Sequence, residues 1–300
     1  LLKIAYHSIY KHPLPEGHRF PMEKYELIPE QLMFEGIINN ENLFEPTPLD
    51  ESVILLTHEA DYWQLLKTLT LDTAHQRRIG FKLNADLIKR ELCIMHGTLQ
   101  CAHYAIKYGV ALNVAGGTHH AFKNKGEGFC LLNDFAITAN YLLKQKLAAR
   151  ILIVDLDVHQ GNGTAAIFSN QPNVFTFSMH GKHNYPFFKE KSDLDVELPD
   201  GINDKAYLDL LEKNLTRIFK LFKPDFVCYQ SGVDILASDK LGKLNISIEG
   251  CKTRDEMVFA FCRAQKIPVV VAMGGGYSPK ISDIVNAHCN TFKAAMDNIW

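Results

Sequence analysis

Nowhere in its 300 residues does this chain hold the ~18 consecutive apolar residues that a membrane-spanning helix needs. Its opening, Leu-Leu-Lys-Ile, lacks the three-part pattern of a secretory leader, although the absence of an initiator Met allows for a trimmed start. Surplus charge is missing too: 32 basic side chains stand against 34 acidic ones, so neither nucleic acid nor an anionic membrane is expected as a direct partner. The seven cysteines form no C-x-x-C pair and their number is odd, which argues against a disulfide framework. Several stand inside apolar runs as small core hydrophobes. A reducing compartment is therefore expected: a bacterial cytoplasm, or the cytoplasm or nucleus of a eukaryote, and not secretion. Repeats, low-complexity tracts and Gly/Ser-rich linkers are absent, so residues 1–300 are expected to form a single domain.

What is present is apolar residue at 47% and charge at 22%, enough for a sizeable core. Short apolar or β-branched runs at 3–6, 53–57, 111–114, 151–154, 174–178, 226–230 and 269–272 alternate with helical stretches. That order predicts an α/β fold, a parallel β-sheet flanked by helices on both faces. Ile88, Leu92, Met95, Leu99, Ala102 and Ile106, spaced by four or three ahead of Gly109, predict a helix with one buried stripe. A second helix is predicted from Asp204 as N-cap through Leu208, Leu211, Leu215, Ile218 and Phe222 to a stop at Lys223-Pro224. The irregular stretches 12–21 and 180–201 are long enough to be functional loops.

Four of the expected strands run straight into unusual polar sequence: A-G-G-T-H-H at 115–120, D-L-D-V-H-Q-G-N-G at 155–163, S-G-V-D at 231–234 and M-G-G-G-Y at 273–277. Open α/β sheets hold their sites beyond the carboxyl ends of strands, so these groups are expected to converge. In D-L-D-V-H an extended backbone would turn Asp155, Asp157 and His159 to one side. Adjacent buried carboxylates repel, and a divalent ion removes that penalty; hydrated side chains at a strand end are the plainer reading, and for this motif alone the two weigh evenly. Asp234 could complete a two-Asp, one-His set with an open coordination position, although by itself it reads as a helix cap. His119 and His120 are adjacent, which suits proton transfer near a metal-bound water better than chelation, while isolated tandem histidines are usually surface groups. Gly274-Gly275-Gly276 permits close backbone approach ahead of Tyr277, whose hydroxyl could donate to a developing oxyanion; alone, the motif reads as a glycine turn with a packed Tyr. No lysine or G-x-G-x-x-G spacing accompanies these glycines, so a phosphate cradle is a poor fit.

In this order, T-H-H-A, G-E-G-F-C, D-L-D-V-H-Q-G-N-G, S-G-V-D-x-x-x-x-D and G-G-G-Y resemble the histone deacetylase superfamily over nearly the whole chain. H-Q-G-N-G with the early H-R-F-P-M-E-K-Y is most similar to the class IV branch and its bacterial relatives. The resemblance implies the arginase/deacetylase fold and a catalytic divalent metal, normally zinc with ferrous iron as the alternative, bound by Asp157, His159 and Asp234. It implies His120 as general base and acid, a mainly electrostatic His119 oriented by Asp155, and Tyr277 stabilising the oxyanion. Asn162 would face His120 where some relatives carry Asp; because Asn adds no charge, His120 is expected to be less basic than in those relatives. A structural potassium ion is implied at Asp155, Asp157, His159, Ser178 and Met179, and a second monovalent site near Phe168 and Val174, where the sequence departs from the pattern. Gly128, Phe129, Phe187 or Phe188, Leu241 and Gly275 are expected along an acyl-lysine tunnel, with core packing as the alternative for the phenylalanines, and Arg19 beside an internal acetate channel.

The activity so implied is metal-dependent removal of acetyl or longer acyl groups from lysine in a protein or peptide, with a small acylated amine as the other candidate substrate. The rivals are an acetylpolyamine amidohydrolase, which would have a narrow acidic entrance, and a long-chain fatty-acyl lysine deacylase. From another class comes a non-catalytic acyl-lysine-binding module, which intact His119, His120 and Tyr277 speak against. Two-manganese ureohydrolases share the fold but not this ligand spacing.

Overall fold

A computed structural model of the chain describes residues 1–297 and 299. Its strands are β1 (Lys3–Ala5), β2 (Leu43–Phe44), β3 (Val110–Asn113), β4 (Ile151–Asp155), β5 (Val174–Gly181), β6 (Leu194–Leu198), β7 (Phe226–Gln230) and β8 (Val269–Ala272). They form one sheet in the order β2-β1-β3-β8-β7-β4-β5-β6. Every neighbouring pair is parallel. Such pairs need crossover connections; helices supply most of them while covering both faces, and the irregular loop 182–193 joins β5 to β6. The strands show why: on β4, Leu152 and Val154 enter one apolar cluster while Ile151 and Ile153 enter the other, and on β8 Val269 and Val271 part from Val270 and Ala272 in the same way. Burial of both faces makes these strands read as unbroken apolar runs.

The helix Ala85–Tyr108 starts where Asn84 accepts a hydrogen bond from Leu87 N and stops at Gly109, whose φ of 91° suits glycine. Its expected stripe is buried at Ile88, Met95, Leu99 and Ala102 and half-buried at Leu92, but Ile106 is 40% exposed and Ala105 takes the buried place, since 3.6 residues per turn rotate the stripe away. The helix Asp204–Leu221 is capped by Asn203, one residue before the expected Asp204. Asp204 instead accepts hydrogen bonds from Ser247 N and Oγ, joining this helix to the start of Ile248–Ala264. Residues 53–57 are not a strand. Asp50 caps Ser52 N and begins the short helix Glu51–Ile54, so a local capping bond outweighs the β preference of Val53 and Ile54. All seven cysteines are free and buried.

β3, β8, β7 and β4 are consecutive in the sheet, so the four polar motifs leave neighbouring strands at the same edge. Hydrogen bonds carry the ladder past the strand ends: Ser231 N to Ala272 O at 3.1 Å, Val233 N to Gly275 O at 2.8 Å and Leu156 N to Gln230 O at 3.2 Å.

His58, buried beneath the loop after Ala121, accepts a hydrogen bond from Asn133 N through Nε2 at 3.0 Å, and burial pushes its pKa down to about 4. Between that value and the ordinary 6.5 the unfolded chain binds a proton that the folded chain refuses. Stability is therefore full above pH 6.5 and falls as the pH drops toward 4, by about 3 kcal/mol from this residue. Urea unfolding at a series of pH values should show a shallower acid slope for His58→Gln than for the wild type; identical slopes would contradict this assignment.

Candidate active site

β4 ends at Asp155, so Asp157 and His159 lie in the loop beyond it rather than on an extended strand. With Asp234, from the loop after β7, they are buried and present ligand atoms within 4.8 Å of one another. His159 turns Nδ1 to both carboxylates, 3.0 Å from Asp157 Oδ1 and 3.1 Å from Asp234 Oδ2. Backbone amides fix the acids: Gly275 N donates to Asp157 Oδ2 at 2.8 Å and Val158 N to Asp234 Oδ1 at 2.9 Å. A Cβ at Gly232 would overlap the Asp157 carboxylate and one at Gly275 the Asp234 carboxylate, so both positions require glycine. Burial and the neighbouring Asp157 push Asp234 up to about 7. Burial also opposes charge on His159, but hydrogen bonds to Asp157 and Asp234 outweigh it and raise its pKa to about 10. Two buried carboxylates and one imidazole repel or compete for protons when alone, and together they are a donor set that fits zinc or ferrous iron.

The paired histidines are distinguished by their partners. His119 Nδ1 lies 2.7 Å from Asp155 Oδ2; burial disfavours its cation, yet Asp155 and Asp157 leave its pKa raised. His120 Nδ1 lies 2.7 Å from the neutral Asn162 Oδ1, and burial with the nearby His119 and His159 depresses its pKa well below the usual range. The two rings are 4.1 Å apart, one favouring the cation and the other the neutral base. Asn162 Nδ2 donates in turn to Glu127 Oε1 at 2.6 Å, and Tyr185 Oη donates to the same oxygen at 2.9 Å. Sequence reasoning passed over Glu127 although it stands within G-E-G-F-C.

Tyr277 places its ring 6.3 Å from that of His159 and 6.1 Å from that of Phe129. Burial raises its pKa well above the usual phenol value, which keeps the hydroxyl protonated as a donor. Asp239, the last residue of S-G-V-D-x-x-x-x-D, braces this segment by accepting from Tyr277 N at 2.6 Å and from Leu241 N and Gly242 N at 2.8 Å. Gly128 lies against His120, where a Cβ would come within 2.6 Å of the ring. Phe129, Leu241 and Tyr277 line an outer funnel.

Two expected positions are corrected. Phe188 is 93% exposed and lies outside the funnel, whose rim Phe187 reaches while itself 88% exposed. The aromatic ring against the histidines is Tyr185, edge-on to His120 at 5.0 Å, because its hydroxyl is drawn inward by Glu127. Arg19 is exposed over the Phe129 ring at 5.4 Å, at the mouth and not deep inside. The arginine of the inner cavity is Arg90, 3% exposed, which lies near Tyr25, Ile94 and Cys130 and pairs with Glu91. Consecutive charged residues inside an apolar helix were the available signal. Ser178 on β5 pairs in register with Asp155, with Met179 next to it. Phe168 and Val174 are buried at the end of the helix Asn162–Phe168 and the start of β5.

Comparison with known proteins matches residues 18–292 to the histone deacetylase domain. The chain belongs to the histone deacetylase family. An HDAC homolog from Aquifex aeolicus superposes with a TM-score of 0.83 at 26% identity, covering 99% of this chain and 84% of that one. The structure of an HDAC homolog complexed with SAHA gives 0.83 at 26% identity, covering 98% and 83%. Among curated relatives, an uncharacterized protein of Picosynechococcus is 45% identical over 98% of both chains, and histone deacetylase 2 of Arabidopsis thaliana is 30% identical over 89% of this chain and 72% of its own.

In this histone deacetylase family member the loops carrying the acids are held from beneath by the fully buried Arg254. Its guanidinium donates to Gly232 O at 2.6 Å, Leu156 O and Ser231 O at 3.3 Å, and Asp255 Oδ1 at 2.8 Å. Arg254→Met leaves Asp255 buried without its cation and should cost about 3–5 kcal/mol, read by urea unfolding. A loss of less than about 1 kcal/mol would show that the clamp is dispensable.

Proposed function

We propose that residues 1–300 act as one catalytic domain that hydrolyses an acyl group from the ε-amino group of lysine in a protein or peptide, in a metal-dependent reaction. The observation that carries this reading is the convergence on one pocket of the Asp157, His159 and Asp234 cluster, two histidines of opposite proton affinity and the Tyr277 hydroxyl. Asp157, His159 and Asp234 would hold zinc or ferrous iron, which when bound supplies Lewis acidity and activates water near neutral pH. His120, neutral, accepts the proton of the attacking water and returns it to the leaving amine. His119, tied to Asp155, keeps positive charge beside the developing anion, and Tyr277 donates its hydroxyl to the carbonyl oxygen.

Phe129 and Tyr185 form walls suited to a methylene chain. The cavity beyond the histidines takes the acyl group, and Arg90 there offers a cation to the carboxylate product. Ser178 and Met179, across from Asp155, are the proposed neighbours of a structural potassium ion. The SAHA complex of an HDAC homolog supports a slot of this kind. Free, buried cysteines favour a reducing compartment, and among the described residues no helix is long and apolar enough to cross a membrane.

On ε-acetyl-lysine peptide, Tyr277→Phe should lower kcat by about 10²- to 10³-fold with KM little changed. Equal turnover by wild type and variant would overturn the assignment. The same assay with acetyl and myristoyl peptides separates short-chain from long-chain deacylation.

A further inference from the structure

Arg19, Arg77, Arg78 and Lys243 line the mouth of the funnel, and no Asp or Glu does. They come from three separate places: the irregular stretch 12–21, the last turn of the helix Thr73–Ile79, and the loop after Asp239. All four are exposed, and among the described residues none is in an ion pair. His183, the histidine at the rim, already pairs with Asp200 at 3.2 Å, while His120 and His159 line the depth of the funnel. The carboxylates of Glu16 and Glu23 line the neighbouring groove instead. A helix C-terminus accounts for Arg77 and Arg78 through its dipole, but not for Arg19 or Lys243. The chain as a whole carries −2, so the cations at the mouth are a local concentration and not the overspill of a basic protein.

We propose that this mouth selects acyl-lysine in peptide segments whose flanking residues are acidic, a substrate class that rests on the deacylase reading above. Uncompensated charges of one sign around a concave entrance focus the potential and speed the capture of the opposite sign. In an extended peptide, residues two or three places from the modified lysine lie roughly 7–11 Å from it. Their carboxylates then come near the rim at distances comparable with a Debye length of about 8 Å at physiological salt. The same wall repels protonated polyamines and lysine-rich segments.

Three peptides sharing a central ε-acetyl-lysine, flanked by Asp, Asn or Lys, provide the test through kcat/KM. At about 20 mM salt each step from Asp to Asn to Lys should cost about tenfold, shrinking to within about twofold at 0.5 M. Arg77→Gln with Arg78→Gln and Lys243→Gln should erase most of the Asp-to-Asn ratio. Equal rates for the three peptides, or a preference for Lys, would overturn the proposal and leave deacylation standing. Faster turnover of free ε-acetyl-lysine than of the Asp peptide would replace the peptide by a small carboxylate-bearing amine. Turnover of none would remove the underlying reading as well.

Glu127 carries an independent consequence for His120. A carboxylate only accepts hydrogen bonds, so the Asn162 group 2.6 Å from Glu127 Oε1 is the NH₂, which fixes the amide. Asn162 Oδ1 then faces His120 Nδ1 and requires a proton there, leaving Nε2 with its lone pair free. We infer that Glu127 is a positioning residue that sets the tautomer of His120 through Asn162, and that Asn stands at 162 because Glu127 already supplies the carboxylate. An Asp at 162 would bring two carboxylates together at that contact.

Glu127→Gln and Asn162→Asp should each lower kcat about tenfold with KM little changed, the scale seen for groups that orient a ligating or catalytic imidazole. The double variant restores a directed chain, the glutamine amide at 127 donating to the aspartate at 162. It should recover to within about threefold of wild type. A double variant as weak as the product of the singles would overturn the inference. Imidazole ¹⁵N shifts give a second readout: Nδ1-protonated His120 in the wild type and a tautomer mixture in Glu127→Gln, with an unchanged tautomer contradicting the role.

Discussion

Two carboxylates, Asp157 and Asp234, are buried side by side with the His159 imidazole between them, and the surrounding structure answers to that arrangement. Ionised acids in a dry interior are tolerated only where donors and a counter-charge converge on them. Amides of Val158 and Gly275 supply the donors, and glycines at 232 and 275 leave the space. Arg254 holds the two loops from below through their carbonyls. In the proposed reading a divalent cation is the counter-charge for this donor set.

Around this cluster the two histidines are separated by chemistry and not by distance. His119 and His120 are neighbours in sequence and in space, yet an aspartate behind one and an amide behind the other drive their proton affinities apart. Pairs of titratable groups pushed in opposite directions are what acid and base roles at one pH require. The carboxylate missing from position 162 stands one hydrogen bond further back, at Glu127, while burial beside His119 and His159 keeps His120 a weak base.

The fold was legible wherever both faces of a strand are buried. β8 is apolar throughout, β3, β4 and β7 are apolar up to a polar last residue, and β5 mixes Val, Phe and Met with Thr176, Ser178 and His180; in all five expectation met structure within a few residues. β6, at the sheet edge, carries Asp195 and Glu197 and gives no such run, while β2 has only two residues. At 53–57 a local cap at Asp50 decided the outcome against side-chain preference. Convergence of the motifs was legible because each follows a strand end. Which side chain turns inward was not: Tyr185 rather than Phe188, and Arg90 rather than Arg19, are set by partners distant in sequence, namely Glu127 for the first and Tyr10 O for the second.

The central claim is that the buried acids demand one divalent cation. Thermal unfolding of metal-free protein titrated with zinc measures that demand directly. The account predicts binding of one equivalent per chain and a midpoint that goes on rising with the logarithm of free zinc, by about 4 kcal/mol of stabilisation at a free concentration a thousandfold above Kd, with little response in Asp234→Asn. A midpoint indifferent to the metal, or one that rises equally in Asp234→Asn, would contradict it.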